Sequence, residues 1–367
     1  MKPDLFIPQV EDLQLAFRWP EEKINAQCVE MFDADGDKDM DLFIGGRLVS
    51  GEYAVPASSA IWFNQGGHFV DNTVALAPFL KNFGMVTDAV ADDVDDDGDE
   101  DLMVVGEWMA PTVLSNDGKG KFTASTIDEA GTGLWWTIEN GDFDKDGDSD
   151  FILGNLGWNN KFNGSKETKL EVYTADFDHS GDYDVVLANT KQGQELPVRG
   201  RECTSEEMPF ILDKFPTYDA YAKAQIKDIY SADQLSKSIH RELSTLTSLY
   251  LQNDGGGKFT KHELSLLCQS SVIKAFYIDD VNKDGNLDFI YAGNHFPTEV
   301  ETSRYDGLYP GVCLGDGKGN FKAETIFMNG KLKILDVRDV QRIKMKSGKS
   351  VYVLGVNEGM VNAFSFK

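Results

Sequence analysis

Short apolar runs punctuate the chain, and each begins where a stretch of aspartates ends. The runs are FIGG (43–46), MVVGE (103–107), ILGN (152–155), VLAN (186–189) and IYAGN (290–294). They are too short for helices and rich in aliphatic residues, so they read as strands. The preceding stretches answer to one template: DADGDKDMDL (33–42), DVDDDGDEDL (93–102), DFDKDGDSDF (142–151), DFDHSGDYDV (176–185) and DVNKDGNLDF (280–289). A second element follows some runs: FNQGGHF (63–69), SNDGKGKF (115–122), QNDGGGKF (252–259) and LGDGKGNF (314–321). Asn/Asp-Gly between hydrophobic stretches signals a hairpin, because tight hairpin turns need positive φ. Each unit therefore reads strand, acidic loop, strand, strand, Gly-rich turn, strand, which is a four-stranded antiparallel blade.

Repetition at this period predicts an all-β fold, a β-propeller forming a single domain over 1–367. The acidic positions at 33, 93, 142, 176 and 280 leave spacings of 60 and 49 residues, which suit blades. The next interval, 34 residues, predicts an abbreviated blade. A degenerate sixth unit runs from KILDVRDV (333–340) to SVYVLGVNEG (350–359), with QRIKMKSGK in place of an acidic loop. The count is six blades, or seven if the 142–190 region or the insertion hides one. Residues 190–249 read as a mostly helical insertion within blade four, with Thr204-Ser205 as a helix start. The segment 4–17 is expected to close the ring against the last blade.

The template D-x-D-x-D-G-x-x-D suits calcium, a hard cation that takes six to eight oxygens. Side chains at positions 1, 3, 5 and 9 and a carbonyl at 7 would supply them. Loop one offers Asp33, Asp35, Asp37 and Asp41, with Asp39 at position 7. Loop two offers Asp93, Asp95, Asp97 and Asp101, with Asp99. Loop three offers Asp142, Asp144, Asp146 and Asp150, with Asp148. Loop four has Asp176, Asp178, Ser180 and Asp184, with Asp182; loop five has Asp280, Asn282, Asp284 and Asp288, with Asn286. An EF-hand would need Glu at position 12, where Ile44, Val104, Leu153, Leu187 and Tyr291 stand instead. About five structural Ca2+ sites are expected, tighter in loops one to three than in four and five.

Charge fits that expectation. The chain has 35 basic and 61 acidic residues, a net charge of −26, which argues against nucleic acid and anionic lipid as partners. Five divalent ions would bring it to about −16. The four cysteines (28, 203, 268 and 313) form neither a zinc pattern nor a disulfide framework. No apolar run is long enough to span a membrane. The opening MKPDLFIPQVEDLQ lacks the apolar core of a signal peptide, so the chain either stays inside the cell or is a mature piece of something longer.

With these residues in hand, the chain resembles the FG-GAP or VCBS repeat propellers, which include the integrin α-subunit head. It is more closely similar to the ASPIC/UnbV-associated repeat proteins of Bacteroidetes-type bacterial envelopes, through GMVTDAVADDVDDDGDEDLMVVGEWM (84–109), GDFDKDGDSDFILGNLGWNNKF (141–162) and FPTYDAYAKAQIKDIY (215–230). The Phe-Gly and Gly-Ala-Pro signatures of the repeat are poorly kept. The resemblance implies an extracytoplasmic, calcium-binding, non-catalytic propeller, often one part of a longer polypeptide.

Candidate ligand contacts are Trp108, Trp136, Trp158, Asn159 and Asn160, which would suit a sugar or else pack between blades and shape a turn. Arg199 and Arg201 would suit an anionic ligand or pair with carboxylates. No Ser/His/Asp order, GxSxG elbow or HExxH run appears, so no catalytic residue is assigned. The expected function is a binding, adhesion or scaffold module for a protein or glycan, with a calcium-dependent polysaccharide lyase or hydrolase as the alternative.

Overall fold

A computed structural model describes residues 24–366, apart from 163, 166, 300 and 301. The segment proposed to close the ring, 4–17, lies outside the described residues. Sheet I comprises Ala26–Phe32, Asp41–Gly46, Ala60–Asn64 and Phe69–Asp71, hydrogen-bonded in that order. Sheet II comprises Met85–Asp92, Asp101–Met109, Thr112–Asn116 and Phe122–Thr126, with Gly133–Leu134 beside its second strand. Sheet IV comprises Ile273–Asp279, Asp288–Gly293, Gly311–Gly315 and Phe321–Thr325, and sheet V has three strands, Val337–Lys344, Ser350–Val356 and Asn362–Phe364.

Sheet III is assembled from two distant stretches. Thr137–Gly141 and Asp150–Gly154 supply one half, and Leu249–Asn253 and Phe259–Glu263 the other, with Phe151 opposite Leu251. The short interval after loop three therefore marks no abbreviated blade. The chain leaves sheet III after its second strand, builds another sheet, and returns to finish the first. The inserted sheet runs Gln194–Pro197, Asp184–Lys191, Thr168–Ala175, Ile239–Leu243 in spatial order. Five short helices, from Arg201–Glu207 to Ala232–Lys237, join its edge strands. The first of them begins after Gly200 rather than at Thr204, whose hydroxyl donates back to the Gly200 carbonyl (2.9 Å) from inside the helix.

Sheets I to V stack face to face in chain order, and their first strands run side by side. Phe32, Phe43, Ile61 and Phe63 of sheet I pack against Val86, Leu102, Val104 and Leu114 of sheet II. Met103, Val105 and Val113 on the other face of sheet II meet Ile138, Phe151, Leu153 and Leu251 of sheet III. The same alternation continues from sheet III to IV and from IV to V. This is why the second strands of sheets I to IV run largely apolar after their leading aspartate: each is covered on both faces. The fold is all-β and propeller-like. The inserted sheet lays Leu170, Val172 and Leu243 against Trp108, Met85 and Leu156, and turns its other face to the helices.

Candidate functional site

Each acidic loop joins the first and second strands of a sheet, so the loops of the stacked sheets gather at one end. The loop backbone folds around its first aspartate. Asp93 accepts the N–H groups of Asp97 and Gly98, both at 3.0 Å; Asp176 accepts those of Ser180 (2.9 Å) and Gly181 (3.1 Å), and Asp280 those of Asp284 (3.1 Å) and Gly285 (3.0 Å). The turn needs positive φ at positions 4 and 6. Most loops place glycine at the second of these; loop one places Gly36 (φ 77°) at the first and Lys38 (φ 75°) at the other.

The ninth aspartate has a distinct place. Asp41, Asp101, Asp150 and Asp288 are buried, at most 1% exposed. One oxygen accepts the N–H at loop position 2, from Ala34, Val94, Phe143 or Val281 (2.9–3.2 Å). The other accepts the N–H that ends the third strand, from Asn64, Asn116, Asn253 or Gly315 (2.7–2.9 Å). Burial pushes the Asp41, Asp101 and Asp150 carboxyls up to about 6, against the pull of these donors.

The Gly-rich hairpins also have a second task. The Asn116 side chain donates to the Ala34 carbonyl of loop one (2.9 Å), and the Asn253 side chain to the Val94 carbonyl of loop two (3.1 Å). The Gly319 N–H reaches the Phe143 carbonyl of loop three (3.3 Å). The hairpins of sheets II, III and IV thus each dock on the acidic loop of the preceding sheet. Turn chemistry accounts for Asn-Asp-Gly in the sequence and hides this role.

In four loops, three carboxylates bring ligand atoms within 4.8 Å of one another: Asp33/Asp35/Asp37, Asp93/Asp95/Asp97, Asp142/Asp144/Asp146 and Asp176/Asp178/Asp184. Loop five forms no such trio; the Asn282 amide donates to Asp284 instead (2.9 Å). Partial burial, then the neighbouring carboxylates, hold Asp95 above the usual range, and both act on Asp144 too. Asp35 Oδ1 and Asp39 Oδ1 are buried with no hydrogen-bond partner among the described residues. An all-oxygen set with unspent acceptors and crowded negative charge fits a hard divalent cation. Asp37, Asp97, Asp99, Asp146, Asp148, Asp182, Ser180 and Asn286 complete the loops, the position-7 N–H in each meeting the position-5 side chain (2.9–3.3 Å).

The candidate ligand residues are dispersed. Trp108 is 4% exposed and donates to the Tyr53 hydroxyl (2.9 Å). Trp158 is 49% exposed, with its indole N–H on Thr247 (3.0 Å). Asn160 bonds within its own turn, to the Gly157 carbonyl (2.7 Å), and Asn159 lies beside Gly307. Arg199 pairs with Glu207 and Glu299, and Arg201 donates to the Phe215 carbonyl (2.6 Å) over the Tyr218 ring. Trp136 sits at the end of the sheets opposite the acidic loops, with Arg47 and Lys274 over its ring.

Residues 93–153 match the FG-GAP-like repeat family, a span that takes in acidic loops two and three. No curated protein matches the chain. Among solved structures, the V. cholerae biofilm matrix protein Bap1 is 8% identical with a TM-score of 0.27, over 90% of this chain and 65% of that one. The exotype rhamnogalacturonan lyase YesX is 12% identical with a TM-score of 0.36, over 93% of this chain and 55% of that one. The chain spans less than two thirds of the length of either, and likenesses this distant do not bear on what it binds. No helix among the described residues is long and apolar enough to cross a membrane.

Proposed function

We propose that the protein is a calcium-binding, extracytoplasmic propeller that acts as a non-catalytic binding, adhesion or scaffold module for a protein or glycan. The supporting observation is the recurrence of the carboxylate trio in four loops, each at a seam between sheets or at the edge of the insertion. Asp33, Asp35 and Asp37, with their counterparts in loops two and three, would hold the ions; Asp176, Asp178 and Asp184 would do so in loop four. The cation would neutralise carboxylates that otherwise repel, and binding only the folded form stabilises it by mass action. An extracytoplasmic setting follows from calcium chemistry, and the closer kinship with ASPIC/UnbV-associated proteins rests on the segments quoted above.

The test is elemental analysis of bound metal joined to thermal unfolding with and without chelator. Four or five calcium ions per chain and a Tm that drops steeply on chelation are expected. A metal-free protein whose Tm ignores both calcium and chelator would refute the reading.

A further inference from the structure

At the end of the sheets remote from the acidic loops, three cations gather with two carboxylates. Arg47 follows the second strand of sheet I, and Glu107 lies near the end of that strand in sheet II. Trp136 precedes the first strand of sheet III, while Lys274 and Arg338 lie at the start of the first strands of sheets IV and V. All five stacked sheets therefore send a residue here. The Lys274 ammonium lies 3.9 Å from the Trp136 ring centroid and the Arg47 guanidinium 4.9 Å from it.

Two of the three cations are matched. Arg47 donates through Nε to Glu107 (2.9 Å), which also accepts the Tyr53 hydroxyl (2.8 Å). Arg338 pairs with Asp336 (2.9 Å). Lys274 is not matched: it is 8% exposed, and its Nζ meets His295 Nδ1 at 2.8 Å, with no carboxylate bonded to it among the described residues. A charged lysine has three N–H donors and no acceptor, so in that state His295 accepts through Nδ1. The same ammonium lies over the Trp136 face. The Trp136 indole N–H is also buried without an acceptor. Asp336 and Glu107 act on Lys274 from a distance but are bonded to the arginines, so the buried ammonium has no hydrogen-bonded carboxylate of its own among the described residues, which is costly. Burial, then Arg338 and Arg47, push Lys274 down to about 7; burial, Lys274 and Arg338 push His295 down to about 4.

Two arginines of the cluster reach solvent. The Arg338 and Arg47 side chains are 35% and 22% exposed. Arg47 and Tyr53 line a cavity of about 650 Å3 bounded across by Val185 of the inserted sheet. Tyr305, stacked on His295, adds an aromatic wall.

We propose that this pole is an anion-binding site, in which Lys274 and Arg338 grip one oxyanion group, carboxylate or sulfate, of an acidic saccharide. A free inorganic anion shares that chemistry, and the experiment separates the two. The proposal does not depend on the acidic loops holding metal.

The test is calorimetric titration of the full chain, without added metal, using a short hexuronate oligosaccharide, its neutral counterpart, sulfate and phosphate. The hexuronate is expected to bind and the neutral sugar not to. Lys274→Gln and Arg338→Gln should each weaken binding about tenfold or more. Raising the pH from about 6 to about 9 should weaken it as Lys274 loses its proton, because His295, Tyr305 and Tyr53 stay neutral over that range and Arg47 and Arg338 stay charged. Glu107 and Asp336 face the same group and remain paired with the arginines. Thermal unfolding of both variants confirms that they fold. Binding of sulfate or phosphate alone keeps the anion site and removes the saccharide. No binding in any arm overturns the proposal, as does a folded Lys274→Gln that binds as tightly as the parent.

Discussion

Asn253 donates its backbone N–H to Asp150 Oδ1 at 2.9 Å, although 103 positions separate the two residues in the chain. Asp150 also accepts the Phe143 N–H (3.1 Å) and the Tyr250 hydroxyl (2.8 Å) through its other oxygen. One carboxylate thus ties an acidic loop to a strand delivered from beyond the insertion.

Asp150→Ala strands all three of those donors in a buried place. A loss of about 3 kcal/mol or more is expected in urea denaturation of the chelated protein. A loss below about 1 kcal/mol would show that the carboxylate is not a staple.

Asparagines at matching hairpin positions should behave differently according to what they reach. The Asn116 amide donates to Ala34 and Glu100 carbonyls (2.9 and 3.1 Å) and accepts the Gly120 N–H (3.2 Å). The Asn64 side chain accepts the Gly67 N–H (2.8 Å) in an exposed turn. Asn116→Ala should cost about 2–3 kcal/mol and Asn64→Ala about 0.5 kcal/mol. Equal losses by chemical denaturation would remove the seam as the cause.

Asp144 should matter chiefly when metal is present. Asp144→Asn keeps an acceptor for Gln252, whose amide donates to Asp144 Oδ2 at 2.8 Å, and removes one charge from the loop-three trio. Bound calcium by elemental analysis is expected to fall by about one ion per chain, with little change in Tm under chelation. An unchanged ion count would place the cation elsewhere.

Acids also meet where the first strands run side by side. Burial, followed by Asp88, Glu30 and Asp339, pushes Glu139 up to about 7; burial also raises Asp88 and Glu30 to about 6. The folded form therefore holds protons that the unfolded chain releases near its ordinary carboxyl range. These groups make the fold more stable as pH falls from about 7 toward about 4.5, and the gain is lost as pH rises through the folded values. Glu139→Gln should raise stability at about pH 7 by roughly 1–3 kcal/mol and flatten that slope. A slope unchanged by the substitution, in denaturation curves taken across the range, would contradict this.

The acidic loops and Gly-rich hairpins were readable in the sequence because each demands particular residues at fixed offsets: carboxylates at odd positions, small or turn-tolerant residues where φ is positive. The path of sheet III was not. A strand that departs at Asn155 looks, over any short window, like one that ends a blade, and nothing local tells Leu249–Asn253 which partner to take. The Asn116 and Asn253 docking contacts were masked by a sufficient turn explanation. Of the cationic pole only Trp136 had drawn notice, as a candidate ligand contact; Arg47, Lys274 and Arg338 each stand alone in or beside ordinary strand sequence and meet it only through the stacking order of the sheets.

The divided sheet III has a consequence for synthesis. On a ribosome the amino-terminal sheets emerge as uninterrupted sequence and can be wound up as they appear. The hairpin from Thr137 to Gly154 then waits with an unpaired edge, its apolar Phe151 and Leu153 uncovered on that side, until Leu249 follows. Only a folded insertion returns the chain to the right spot, where the Asn155 N–H meets the Ser248 hydroxyl (3.0 Å). Folding of the nascent chain thus waits midway along the stack, and sheets IV and V have no finished surface to stack on until sheet III is complete.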